Sequence, residues 1–203
     1  MEYGANNYPE SATGAKGDEI GKRQLRRLMM YGLMPSHTFL DIGCGGLRGG
    51  IFVIEYLDKG NYTGNDISAS ILEYGEKLLK ERRLEYKSPH LYKTDNLEFK
   101  ELEGKKFDYI HAQSVLTHMP PKDVEILIRN VPKVMHKNSI FLTTIFKSKT
   151  GSIYDRRQKL NFYYPLSWMV KICESSGLKV EEIDDDREYI GKQTLLKITT
   201  RMS

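Results

Sequence analysis

The chain has 203 residues, 39% hydrophobic and 29% charged, which suits one folded domain and excludes a disordered or low-complexity protein. Lys and Arg number 31 against 27 Asp and Glu, and the resulting formal charge of +4 does not by itself argue for a nucleic-acid partner. No apolar run approaches the ~20 residues of a membrane span, and Met1-Glu2-Tyr3-Gly4 lacks the basic-then-apolar layout of a signal peptide. The expectation is therefore a cytoplasmic protein without membrane association.

Residues 1–16 carry Gly4, Asn6, Asn7, Pro9 and Gly14 with little apolar periodicity, and read as a flexible arm. A helix is predicted over residues 18–31, with Leu25, Leu28 and Met29 on its apolar face and Gly32 as its C-cap. Lys22, Arg23, Arg26 and Arg27 then fall on a solvated face.

A buried strand over residues 37–42 runs into the glycine-rich stretch Gly43-Cys44-Gly45-Gly46-Leu47-Arg48-Gly49-Gly50, and the apolar Ile51-Phe52-Val53-Ile54 continues as a helix. Strand, tight turn and helix together can present backbone N–H groups and a helix N-terminus to a nucleotide-like ligand. The phosphate-binding loop is excluded, because Ile51 and Phe52 stand where lysine and Ser or Thr are required. The dinucleotide fingerprint is excluded as well, because Arg48 stands where its third glycine belongs. Asp41, at the end of the strand, suits a ligand carrying positive charge. Cys44 is read as a small packing residue of the turn. Arg48 is read either as a partner for a carboxylate, on the ligand or on Asp41, or as a surface ion pair.

The next strand, Tyr62-Thr63-Gly64-Asn65-Asp66, ends in an acid and is followed by an N-cap candidate, Ser68. An acid about 20 positions beyond the glycines can accept from two vicinal ribose hydroxyls. A helix is predicted over residues 69–82, a short strand over 90–93 and a fourth strand over 107–112. A helix opens at Pro120-Pro121, with Val124, Leu127, Ile128, Val131, Val134 and Met135 as its stripe. A fifth strand over 139–146, a long loop over 147–164, a helix ending at Gly177 and two strands over 179–183 and 193–200 complete the chain. The last pair is joined by the acidic turn Asp184-Asp185-Asp186-Arg187. Alternating β and α units predict an α/β, Rossmann-like doubly wound sheet of seven strands, mixed because the last strand is antiparallel, with helices on both faces.

Leu40-Asp41-Ile42-Gly43-Cys44-Gly45, Tyr62-Thr63-Gly64-Asn65-Asp66-Ile67-Ser68, Tyr92-Lys93-Thr94-Asp95-Asn96 and Phe107-Asp108-Tyr109-Ile110-His111-Ala112-Gln113-Ser114-Val115-Leu116 stand in one order and spacing. This pattern resembles the class I S-adenosylmethionine-dependent methyltransferases over nearly the whole chain from Gly17. The resemblance implies a single methyltransferase domain over residues 1–203, S-adenosylmethionine as cofactor and an arm that closes over it. The helix within residues 17–34 would pack near the cofactor. It further implies that Gly43 and Gly45 line the methionine part, Asp66 takes the ribose hydroxyls and Ile67 packs on adenine. Asp95 and Asn96 would bind the adenine edge, and Gln113 would lie beneath the sulfonium. For Asp95 and Asn96 a simple turn is a competing reading.

Methyl transfer needs a base only when the acceptor is a protonated hydroxyl or amine. His118 is the best-placed candidate, although a loop histidine bonded to backbone is the commoner case. No ligand set has metal spacing, so the expected reaction is metal-independent. Lys147, Lys149, Arg156, Arg157 and Lys159, interleaved with Tyr154, Phe162, Tyr163 and Tyr164, suit an anionic, ring-bearing small-molecule acceptor. Nucleic acid also fits such a loop, and so does a solvated loop whose tyrosines pack on the sheet. Methylation of nucleic acid or protein, and a non-catalytic cofactor-binding module, are the rival functions.

Overall fold

The computed structural model describes residues 14–155, 161–183 and 193–201. Residues 1–13 of the expected arm, the basic residues Arg156, Arg157 and Lys159, and the acidic turn at 184–187 lie outside the described residues. The chain divides into two compact units, Met1–Asp95 and Asn96–Ser203.

In the first unit, helix α1 (Gly14–Met30) precedes strand β1 (Phe39–Ile42), helix α2 (Gly50–Tyr56), strand β2 (Tyr62–Asp66), helix α3 (Ala69–Glu81) and strand β3 (His90–Lys93). The three strands are parallel in the order β3-β2-β1. β1 is buried along its whole length, Asp41 included, as a parallel strand flanked by helical segments requires. α1 ends on Gly32 at φ 93°, where the Gly32 N–H reaches the Met29 carbonyl and the Leu33 N–H reaches back to the Leu28 carbonyl. The two bonded carbonyls and the buried Leu28 and Leu33 make this a Schellman end, which the glycine makes accessible without strain. Lys22, Arg23 and Arg26 are exposed as expected, whereas Arg27 is 8% exposed and Met29, expected on the apolar face, is exposed. An ion pair from one nitrogen of Arg82, Nη2, to both carboxylate oxygens of Asp18 ties α1 to the residue capping α3.

α3 begins at Ser68, whose hydroxyl accepts from the Ile71 N–H, and buries Leu72, Gly75 and Leu79. Gly75 lies against Leu47 of the glycine turn, where an added Cβ would stand 3.0 Å from the leucine Cγ. Helix packing thus presses the turn from one side. On the other, Gly50 admits the Tyr62 ring, whose hydroxyl donates to Asp41 at 2.7 Å.

The second unit holds β4 (Phe107–Ala112), α4 (Pro121–Asn130), β5 (Met135–Lys147), β6 (Tyr154–Asp155), β7 (Phe162–Tyr164), α5 (Leu166–Ser175), β8 (Leu178–Ile183) and β9 (Thr194–Thr200). β4 and β5 are parallel, β9 runs antiparallel along β5, and β8 pairs antiparallel with β9. α4 stops earlier than the apolar stripe predicts. Pro132 has no N–H to continue the ladder, so Val131 and Val134 are buried from a tight turn and Met135 opens β5. The loop predicted over 147–164 is partly strand, since β7 pairs parallel with the end of β5 and β6 pairs antiparallel with β7. Phe146, Tyr163 and Tyr154 stack at 5.0 and 4.6 Å, while Phe162 and Tyr164 turn inward. Trp168 stacks on Tyr164 at 5.0 Å. Lys147 is paired with Glu182 at 2.6 Å. Among the described residues no helix is long and apolar enough to cross a membrane.

Gly50→Ala should place a methyl against the Tyr62 hydroxyl and lift it from Asp41. Overpacking of this kind costs about 1–3 kcal/mol, against about 1 kcal/mol gained from helix propensity. Chemical denaturation should therefore show a net loss of stability. A neutral or stabilising result would show that Tyr62 yields without cost.

Candidate functional site

The site is built on the turn between β1 and α2. Gly43 and Gly45 take φ of 67° and 55°, and Leu47 takes 61°. Glycine occupies the first two because a side chain would be strained there. The N–H groups of three consecutive turn residues are not open to a ligand. The Gly43 N–H donates to the Asn65 side-chain oxygen at 3.4 Å, the Cys44 N–H to the Asn65 carbonyl at 2.9 Å and the Gly45 N–H to the Asp66 Oδ2 at 3.0 Å. The expectation that this turn offers its N–H groups is corrected here, because the end of β2 has taken them. The start of α2 is covered too, since Gln24 of α1 sits where a side chain on Gly49 would lie.

Asp41 is 7% exposed and receives the Tyr62 hydroxyl. Burial, with Asp41 beside it, pushes the Tyr62 phenol well above its usual range. Cys44 is buried, and burial followed by the charges of Asp41 and Asp66 raises its thiol well above the usual value. That environment fits the packing role expected of Cys44 and opposes a reactive thiolate.

Asp66 is half-buried at the end of β2. Its Oδ1 accepts from the Ser68 N–H and its Oδ2 from the Gly45 N–H, both at 3.0 Å. Burial raises its pKa above the ordinary 3.8, opposed by backbone N–H groups of Ser68, Gly45 and Ile67. The carboxylate is held in place with lone pairs remaining for further donors. Ile67, next in the chain, is 52% exposed, an apolar group at the lip of the cradle. Arg48 is half-buried in the turn, ahead of the first residue of α2, so it does not sit in the helix itself. Asp95 is exposed just beyond β3.

On the second unit, Asn96 forms a turn of its own. Its Oδ1 accepts from the Glu98 N–H at 3.0 Å and its Nδ2 reaches Glu101 at 3.4 Å. Gln113 follows β4 directly. Its Nε2 contacts Thr144, Ser114 and Gln193 at 3.1–3.2 Å, while its Oε1 is buried with no hydrogen bond. Ser114 takes φ 57° and its N–H donates to the Thr144 hydroxyl at 2.9 Å. His118 is exposed at the end of the tight turn Leu116–His118. His111 is buried within β4.

The structure thus brings Gly43, Gly45 and Asp66 together in the first unit, with Asp41 beneath them. Sequence reasoning passed over Asn65, Tyr62, Tyr92, Thr144 and Gln193. Asn65 did leave a signal, because asparagine is a poor strand former at a position flanked by buried strand residues.

A family model described as a methyltransferase domain matches residues 40–141, half of the chain. Among solved structures, the glycopeptide N-methyltransferase MtfA complexed with S-adenosyl-L-methionine aligns at a TM-score of 0.70 and 15% identity, covering 89% of this chain and 94% of that one. Magnesium protoporphyrin IX methyltransferase (ChlM) from Synechocystis PCC 6803 with bound SAM aligns at 0.67 and 16%, covering 91% and 79%. An S-adenosylmethionine-dependent methyltransferase from Clostridium acetobutylicum ATCC 824 aligns at 0.68 and 12%, covering 94% of each. These likenesses show the Rossmann-like α/β fold that the β–α alternation predicts. With a family match over half its length on that fold, the chain belongs to the class I S-adenosylmethionine-dependent methyltransferases.

Proposed function

We propose that this enzyme transfers a methyl group from S-adenosylmethionine to a small-molecule acceptor. The observation that carries the cofactor reading is the closed state of the glycine turn. With the N–H groups of residues 43–45 taken by β2, and with Asp41 and Asp66 close to Cys44, the turn is a poor seat for a phosphate and a good one for a cationic ligand. Asp66, fixed by two backbone N–H groups, accepts from ribose hydroxyls through its remaining lone pairs. Exposed Ile67 offers the adenine an apolar face. Gly43 and Gly45, without side chains, allow close approach to the methionine part.

When bound, S-adenosylmethionine supplies a methyl on a sulfonium whose leaving group is a neutral thioether. The residues of the chain then have mainly to orient, since in-line positioning supplies much of the acceleration. Asp95, Asn96 and Gln113 enter this reading through the family resemblance, and Asn96 does so against its role in the local turn; Arg48 enters it as a cationic partner for the cofactor's carboxylate. His118 is the proposed base for an acceptor that must lose a proton. The solved relatives are named for a glycopeptide and a magnesium protoporphyrin. A small, ring-bearing acceptor is in keeping with them and with the half-buried stack of Tyr154 and Tyr163.

Calorimetry should show binding of S-adenosylmethionine and S-adenosylhomocysteine but none of NAD or ATP. Tight NAD binding would overturn the reading. Charge-assisted contacts to ribose are worth roughly 1.5–3 kcal/mol, so Asp66→Ala should weaken S-adenosylhomocysteine at least tenfold while the circular dichroism spectrum stays unchanged. An unaltered affinity would reduce Asp66 to a turn acid. The raised pKa of Asp66 adds a pH test. Only the ionised carboxylate accepts from both hydroxyls, so affinity should fall as pH drops through that pKa, beginning above the ordinary aspartate value. Asp66→Asn should bind weakly with a flat profile over the same interval.

A further inference from the structure

Asn65 places a carboxamide in the interior of β2, where the residue is 3% exposed. Strand pairing uses its backbone and leaves the side chain to be explained. The oxygen faces the Gly43 N–H at 3.4 Å, and the nitrogen faces the Tyr92 hydroxyl at 2.9 Å. The Gly43 N–H can only donate, so the atom opposite it must be the oxygen and the NH₂ must point to Tyr92. The β2–β3 register sets Tyr92 beside Asn65 on the neighbouring strand. The tyrosine therefore holds the amide from one side while the amide holds the glycine peptide on the other.

The choice of an amide has a chemical reason. A carboxylate could also accept from Gly43, but Asp41 and Asp66 already act together on Cys44 in this corner of the unit. A third negative charge would be repelled by both. Gly43 itself stands at φ 67° in a stretch that no helix or strand fixes, and glycine gives its peptide many other conformers. A neutral acceptor anchored to a third strand selects one of them before any ligand arrives.

We infer that Asn65 is a positioning residue for the methionine half of the cofactor, acting through the Gly43 peptide, with Tyr92 as its brace. The inference rests on the cofactor reading above, in which Gly43 lines the methionine part and Asp66 the ribose. It separates the two halves of the ligand: S-adenosylhomocysteine has the amino-acid portion, and 5′-methylthioadenosine lacks it.

The test is calorimetric affinity for both ligands in wild type, Asn65→Ala, Tyr92→Phe and the double variant, with melting temperatures alongside. Loss of one hydrogen bond corresponds to roughly a three- to tenfold change. Asn65→Ala should weaken S-adenosylhomocysteine by that factor and leave 5′-methylthioadenosine within about twofold. Tyr92→Phe should act in the same direction, and the double variant should be no weaker than Asn65→Ala alone, because both act through one amide. Equal losses for both ligands would make Asn65 a merely structural residue and overturn the inference, as would unchanged S-adenosylhomocysteine affinity in both single variants. Should Asn65→Ala fail to fold, Tyr92→Phe leaves the buried amide in place and decides the matter by the same ratio. A wild-type protein that binds neither ligand would remove the cofactor reading itself, and the inference with it.

Discussion

The arrangement of the first unit depends on how the end of β2 satisfies the glycine turn. Buried N–H groups must find acceptors, and glycines bring no side-chain acceptors of their own. Two consecutive residues, Asn65 and Asp66, supply three acceptors to three consecutive donors. Parallel pairing of β1 with β2 makes this possible, because Ile42 lies opposite Asn65 and the turn emerges beside the strand end. The same bonds orient Asp66, so closing the turn and aiming this carboxylate are one event.

That orientation has a cost. Burial raises the Asp66 pKa, and an acid whose folded pKa is raised destabilises the fold in its ionised form. The penalty is full at pH values above the raised pKa, shrinks as pH falls below it and is gone below the ordinary 3.8 of the unfolded chain. Under the proposed cofactor reading, ribose hydroxyls that bond the ionised form would offset it.

Much of the fold was legible in the sequence because its signals are local. β2, β3 and β4 fall within the residues their apolar, β-branched and aromatic runs predict, and Ser68, Gly32 and Pro121 mark helix ends by mechanisms that act within a few residues. The errors arose where one signal masked another. The helical stripe through Val131, Val134 and Met135 continued in pattern past Pro132, which ended the helix. The β6–β7 pair was lost in a loop because β7 pairs with the end of β5 from the far end of that loop. For the site, Asp66 and the glycines were visible from spacing. The roles of Tyr62 and Asn65 were not, because each rests on a cross-strand contact 21 or 22 residues away. Nothing in sequence spacing could tell whether the turn's N–H groups were open or taken.

The stack of Trp168 on Tyr164 has a practical consequence. The sequence contains a single tryptophan, and it lies on α5 in the second unit, half-buried against a tyrosine ring. The tryptophan emission of this protein, excited apart from its tyrosines, therefore comes from one place, and that place is remote in sequence from the glycine turn. A ligand whose effects stay within the first unit would be silent in tryptophan fluorescence however tightly it bound. Any quenching or spectral shift on titration would be a direct optical sign that the second unit had responded.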